Sequence, residues 1–199
     1  MVRKSLTNAF SLAGLMLLAI GGCRERLAPE TPDYVEYGWE LMADQEYREA
    51  IAQFEAGKSE DDTYADSWNG LGWAFARLGS ADTSVVRFTA GANLDDSTMV
   101  GTEILAGRSF AKLALGDTNA VADAKAALLS APNWEFKRDP TLGYLHLNLT
   151  VASGFYSWGK FDSCLVWVRK LDDTYNVDVT TLPGRSQLAV KLQALSGEL

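Results

Sequence analysis

The side chains that most often act as nucleophile, general base or transition-metal ligand are nearly absent from this chain. Its 199 residues include one histidine, His146, and two cysteines, Cys23 and Cys164. A catalytic His146 would need an orienting acid and a nucleophile, and the sequence marks neither. Cys164 falls at a small-residue position of a helical pattern and reads as a buried small hydrophobe. One histidine and one cysteine beyond the N-terminal apolar stretch leave no material for a His/Cys metal site or a Cys–His pair. The acidic pairs Asp61-Asp62, Asp95-Asp96 and Asp172-Asp173 offer oxygen ligands, yet none has the D-x-D-x-D-G spacing of a calcium loop. They sit at the ends of helical patterns, which fits turn and N-cap duty. No Gly-rich phosphate loop, HExxH or GxSxG occurs. The expectation is a protein that is not an enzyme, with no metal and no cofactor.

Composition bounds the remaining classes. The chain is 47% hydrophobic and 22% charged, with a formal charge of -8. That excludes a disordered or disulfide-stapled chain and suits one domain or a short repeat array. The acidic balance argues against nucleic acid as a partner, because phosphates call for a basic face.

The N-terminus carries Arg3 and Lys4, then an uncharged, mostly apolar run from Phe10 to Ile20, then Gly21, Gly22 and Cys23. This is the layout of a secretory signal peptide over 1–22, and the apolar run is short for a membrane span. An uncleaved membrane anchor is the alternative reading. The ending Ile20-Gly21-Gly22-Cys23 resembles the bacterial lipobox. That resemblance implies lipidation of Cys23 and the membrane as a partner through the lipid. It also implies a location in the bacterial cell envelope. Arg24, rather than Asp, after the cysteine implies the outer membrane, facing the periplasm. Cleavage would remove two cations and no acid, which takes the charge from -8 to -10. Residues 23–33 hold two prolines among charges and read as a tether before a domain at 34–199.

That domain is internally repetitive. Residues 31–64 and 65–98 share seven identities at a single offset of 34: Gly38/Gly72, Trp39/Trp73, Phe54/Phe88, Ala56-Gly57/Ala90-Gly91 and Asp61-Asp62/Asp95-Asp96. Trp68, Leu71, Gly72 and Phe75 follow i, i+3, i+4, i+7 and share one helix face. Each unit reads as helix–turn–helix, breaking at Asp44-Gln45-Glu46 in the first and at Gly79-Ser80 in the second. A weaker unit follows at about 99–134 and a clearer one at about 145–178. An insertion containing Trp134, Phe136 and Pro140 separates them. A last helix at about 184–196, opened by Pro183, places Leu188, Leu192 and Leu195 on one face to cap the array.

The segments Trp68-Asn69-Gly70-Leu71-Gly72-Trp73-Ala74-Phe75 and Tyr47-Arg48-Glu49-Ala50-Ile51-Ala52-Gln53-Phe54 resemble the two helix signatures of the tetratricopeptide repeat, TPR. Ser84 departs from the usual Ala, and Gly57 and Gly91 replace another. The resemblance implies an all-α, right-handed α-solenoid of about four units plus the capping helix. It implies a concave groove lined by the first helix of each unit, where a protein or peptide binds. Carried over, the groove residues are Trp39, Met42, Asn69, Trp73, Arg77, Arg108 and Tyr156, with Val35, Glu36, Lys112, His146, Leu149 and Ser153 beside them. Trp39 and Trp73 either present ring edges to a partner or fill the seam between first helices. The expected function is a lipid-anchored adaptor that holds a partner protein, in a secretion, pilus or outer-membrane assembly machine. The alternative is an accessory or carrier module of an envelope enzyme, binding a glycan or peptide in the aromatic groove.

Overall fold

The computed structural model describes residues 29–94 and 99–198. The leader, Cys23 and the pair Asp95-Asp96 lie outside the described residues. The rest is helical: α1 (Thr31–Ala43), α2 (Tyr47–Glu60), α3 (Ala65–Arg77), α4 (Ala81–Ala92), α5 (Met99–Ala114), α6 (Ala120–Ser130), α7 (Tyr144–Ser157), α8 (Phe161–Val168) and α9 (Leu182–Glu198). Residues 31–33, expected in the tether, instead make the first turn of α1. Pro32 sits where no backbone N–H is needed, and the Asp33 carboxylate accepts the Glu30 N–H at 2.9 Å.

The helices pair as hairpins and stack. Each of α1, α3, α5 and α7 packs on its own following helix and on the next odd-numbered helix, with α9 closing the row against α7 and α8. Among the described residues, the even-numbered helices touch only the helices that flank them in the chain. The odd row is therefore the tighter layer and lines the concave side of an α-solenoid.

Glycines set that tightness. The ring of Phe54, from α2, sits between Gly38 of α1 and Gly70 of α3. A Cβ at either glycine would lie 2.6 or 2.3 Å from the ring. Phe88 repeats this between Gly72 and Gly107, at 2.4 and 2.3 Å. Phe54 and Phe88 are fully buried as a result. Ser84, the departure from the repeat pattern, donates its hydroxyl hydrogen bond to the Gly72 carbonyl at 2.8 Å, so its polarity is satisfied within the core.

The turns inside units two to four use Gly79, Gly116 and Gly159 at φ of 76, 71 and 68°. The first unit places Gln45 there at φ 64°. Turns elsewhere follow one chemical rule. Asp61, Asp139, Asp172 and Asp178 each accept both the backbone N–H and the hydroxyl of a threonine two residues on. The acidic pairs that are described thus close turns, and neither Asp61 nor Asp62 caps the helix that follows. The Thr63 bonds lower the pKa of Asp61. The Lys191 ammonium and the Thr174 hydroxyl bring Asp172 to about 2.

The apolar interior forms two bodies. One runs from α1 to α7 and takes in Trp134 and Phe136 of the insertion. The other joins α7, α8, the loop at Val179 and the α9 leucines Leu188, Leu192 and Leu195. Cys164 lies in the second, where burial pushes its thiol up to about 12.

Candidate functional site: the concave face and its strap

The concave face follows from repeat arithmetic. Helix α1 carries Trp39 and α3 carries Trp73 one period of 34 apart, so both indoles lie on the inner layer. Each packs edge-on against the phenylalanine of its own unit, Trp39 on Phe54 at 5.1 Å and Trp73 on Phe88 at 5.7 Å. Position 69 of α3 and position 103 of α5, also one period apart, bring Asn69 beside Glu103. The Asn69 amide donates to Glu103 Oε2 at 2.8 Å and to Asp66 Oδ1 at 3.0 Å. The Trp39 indole N–H donates to Asp66 Oδ2 at 3.1 Å.

The insertion between α6 and α7 crosses this face as a strap. Residues 134–136 run extended, and a turn at 137–138 follows, closed by the Asp139 N–H donating to Phe136 O at 3.0 Å. Trp134 and Phe136 point inward and are buried, while Glu135 and Lys137 are exposed. The strap folds back on itself. The Phe136 N–H donates to Leu142 O at 3.0 Å, the Tyr144 N–H donates to Trp134 O at 2.7 Å, and Asp139 and Thr141 make the turn. The Phe136 ring stacks on Trp73 at 4.4 Å and meets Trp39 edge-on at 6.0 Å. The Arg138 guanidinium lies over the Trp39 ring at 4.4 Å, and 3.6 Å from the Asp66 carboxylate and 3.8 Å from Glu36. Arg77 donates to the Asp139 carboxylate. Trp39 and Trp73 are left 4% exposed each.

Burial under the strap raises the pKa of Glu103 to about 7. The Asn69 hydrogen bond and the strap cations Arg138 and Lys137 oppose that rise, and Asp66 adds to it. Beside the strap an open pocket of about 370 Å³ remains. Trp39, Met42, Gln45, Tyr47 and Arg77 line its solenoid side, and Phe136, Arg138 and Asp139 its strap side.

Of the expected groove residues, Trp39, Met42, Trp73 and Arg77 converge on this pocket. Three others are placed differently. Asn69 is on the floor of the face but fully buried, its amide engaged by two carboxylates. Arg108 is held by α6 of its own unit. Its guanidinium donates to both oxygens of Asp123 at 2.8 and 2.7 Å, and Lys112 donates to the same carboxylate at 2.8 Å. Tyr156 turns toward the cap, where its hydroxyl donates to Arg185 O at 3.3 Å and its ring packs on Phe161 at 5.3 Å. His146 starts α7, and its Nδ1 accepts the Gly143 N–H at 3.3 Å. The residues not anticipated are Asp66, Glu103 and the strap's Phe136, Arg138 and Asp139. The W-E-F-K-R alternation over 134–138 was the available signal for the last group.

No family model matches the chain, and no curated protein matches it. Among solved structures, it is similar to a thermophilic TPR protein of Thermus thermophilus. That likeness has 14% identity over 83% of this chain and 98% of the other, with a TM-score of 0.42. It is also similar to a chain in the crystal structure of the APC/C hetero-tetramer Cut9-Hcn1, with 14% identity, 85% of this chain covered and a TM-score of 0.41. The match takes in 41% of the length of that protein.

Proposed function

We propose that this protein is a non-enzymatic adaptor, lipid-anchored through Cys23 at the bacterial cell envelope, that holds a partner protein on its concave face. The observation that carries the binding part is convergence. Side chains from separate units, Trp39, Met42, Tyr47 and Arg77, meet at one open pocket on the inner layer of the solenoid. Aromatic rings beside a guanidinium are the groups that anchor protein interfaces. The anchoring part rests on the sequence around Cys23, and the outer membrane on Arg24.

The pocket also suits the second reading, an accessory module that takes a glycan or peptide. A pocket of about 370 Å³ with Trp39, Tyr47, Gln45 and Arg77 on its walls has the size and chemistry for a small polar ligand.

Two measurements test the proposal. Metabolic labelling with a fatty-acid analogue should mark the wild-type chain and not Cys23→Ala; labelling that survives the substitution removes the anchor. A photo-cross-linking amino acid at position 45 or 47 should trap one protein in cells of the source organism. The same group at Val86, exposed on α4 of the convex side, should not. Trapping from Val86 alone would move the binding surface off the concave face, and trapping of glycan alone would favour the accessory module.

A further inference from the structure

The strap meets the concave face as a ligand would. It is extended over 134–136 and turns at 137–138, and it lays two aromatics and a cation on the face: Trp134, Phe136 and the partly exposed Arg138. Its backbone hydrogen bonds close on the strap itself and on the ends of α6 and α7. Among the described residues none joins the backbone of 135–142 to α1, α3 or α5. Side chains alone fasten this stretch to the inner layer: the stack on Trp73, the guanidinium over Trp39 and the Asp139–Arg77 pair. The charges are complementary. The face supplies Glu36, Asp66 and Glu103, and the strap supplies Arg138 and Lys137. The fit is also incomplete. Trp73 Nε1 and Asn69 Oδ1 are buried at this contact and find no protein partner.

We propose that the strap is a displaceable occupant of the concave face, and that the face takes from its partner a peptide loop of the same chemistry, with a turn before its cation. That chemistry is two aromatic residues two positions apart followed, after one more residue, by a cation. This inference rests on the adaptor reading and specifies what the adaptor holds. An incoming peptide replaces the Phe136 ring on Trp73 and the Arg138 guanidinium over Trp39 and Asp66. It gains where it offers an acceptor to Trp73 Nε1 or a donor to Asn69 Oδ1. The strap lowers the apparent affinity by the fraction of time it is seated, which also excludes weak or ill-matched segments.

The test is a fluorescently labelled peptide with the strap's own sequence, NWEFKRDPT, titrated into the full chain by fluorescence anisotropy. The loosened variant is the full chain carrying Phe136→Ser and Arg138→Glu. The peptide should bind this variant at least about 10-fold more tightly than it binds the wild type, by the removal of a competitor held in place. A peptide bearing the same two substitutions should bind neither chain. Equal affinity for both chains, or no binding to a loosened chain that keeps its helical circular dichroism, overturns the proposal. Should the loosened chain unfold, hydrogen exchange on the wild type decides. The Phe136 and Tyr144 amides should exchange at least about 100-fold faster than those of Leu71 and Ile104. Equal protection means that the strap leaves only when the whole domain unfolds, and the proposal falls. A protein trapped from position 47 together with a non-binding peptide overturns the peptide chemistry alone and leaves the adaptor reading in place.

Discussion

On the third unit, Arg108 and Lys112 of α5 share the carboxylate of Asp123, which comes from the adjoining helix of the same hairpin. On the first two units, Asp66 and Glu36 receive their cation from Arg138, on a strap that enters from between α6 and α7. Both stretches lie on the inner layer and both are neutralised, but by different means. The first pairing is completed inside one helix hairpin and persists as long as the hairpin does. The second depends on a separate chain segment seated by side chains. Charge on a concave face is therefore no guide to binding until the source of its counter-charge is known. Arg108 is occupied by its own unit, whereas the occupant of Asp66 comes from outside its unit.

The largest predicted effect tests how firmly the strap-covered stretch is built. Trp73→Ala removes a buried indole packed on Phe88, Phe110 and Phe136, and should cost about 3–5 kcal/mol in thermal or denaturant unfolding. A loss below about 1 kcal/mol would mean that Trp73 is more accessible than its packing shows. On the third unit, Asp123→Ala leaves two largely buried cations without their carboxylate and should cost about 3 kcal/mol.

Glu103 gives the contrast a pH dependence. Its folded pKa of about 7 stands above the ordinary 4.5, so the native state holds this proton more tightly than the unfolded chain. The group's contribution is fully present below pH 4.5 and is lost as pH rises through about 7. Glu103→Gln should therefore gain stability over the wild type across that window, reaching about 3 kcal/mol at pH 8. Unfolding midpoints of the two chains at about pH 4 and pH 8 check this. A difference independent of pH would remove Glu103 as the titrating group.

Arg138→Ala should cost about 1 kcal/mol or less, since its ion pairs are partly exposed and its main contact is one indole face. It should nonetheless speed exchange of the Phe136 amide by more than it lowers global stability. The smallest effect belongs to Gln45, the non-glycine residue at positive φ among the described residues. Gln45→Gly should raise stability by about 0.5 kcal/mol. Because Gln45 also lines the open pocket, weakened partner capture by this more stable chain would assign it a contact with the ligand.

Much of the fold was legible from local spacing. The period of 34 located Trp39, Trp73 and two of the four glycines that receive Phe54 and Phe88, Gly38 and Gly72, because helix pairing at that distance is dictated by which positions are small. Pro183 and the leucine series located α9 within two residues at each end. The start of α1 was misplaced because Pro32 reads as a tether signal and as a first-turn residue equally well. The site was legible in part. Trp39, Met42, Trp73 and Arg77 are on the inner layer as the repeat implies. Arg108 and Tyr156 are also helix residues at the expected positions, but Asp123 and Arg185 claim them, and nothing local in the sequence announces those partners.

The sequence by itself determined the helix hairpins, their order and the layer to which each aromatic belongs. These follow from interactions between residues a few turns apart and from a repeat that states the same geometry twice. Tertiary structure alone decided which inner-layer residues stay open to a partner. The strap's order of Trp134, Phe136 and Arg138 is written in the sequence, yet where such a loop lies is set by the shape and charge of the surface it closes over. That surface, with Trp73 to stack on and Asp66 to receive a guanidinium, exists only once α1, α3 and α5 are packed side by side.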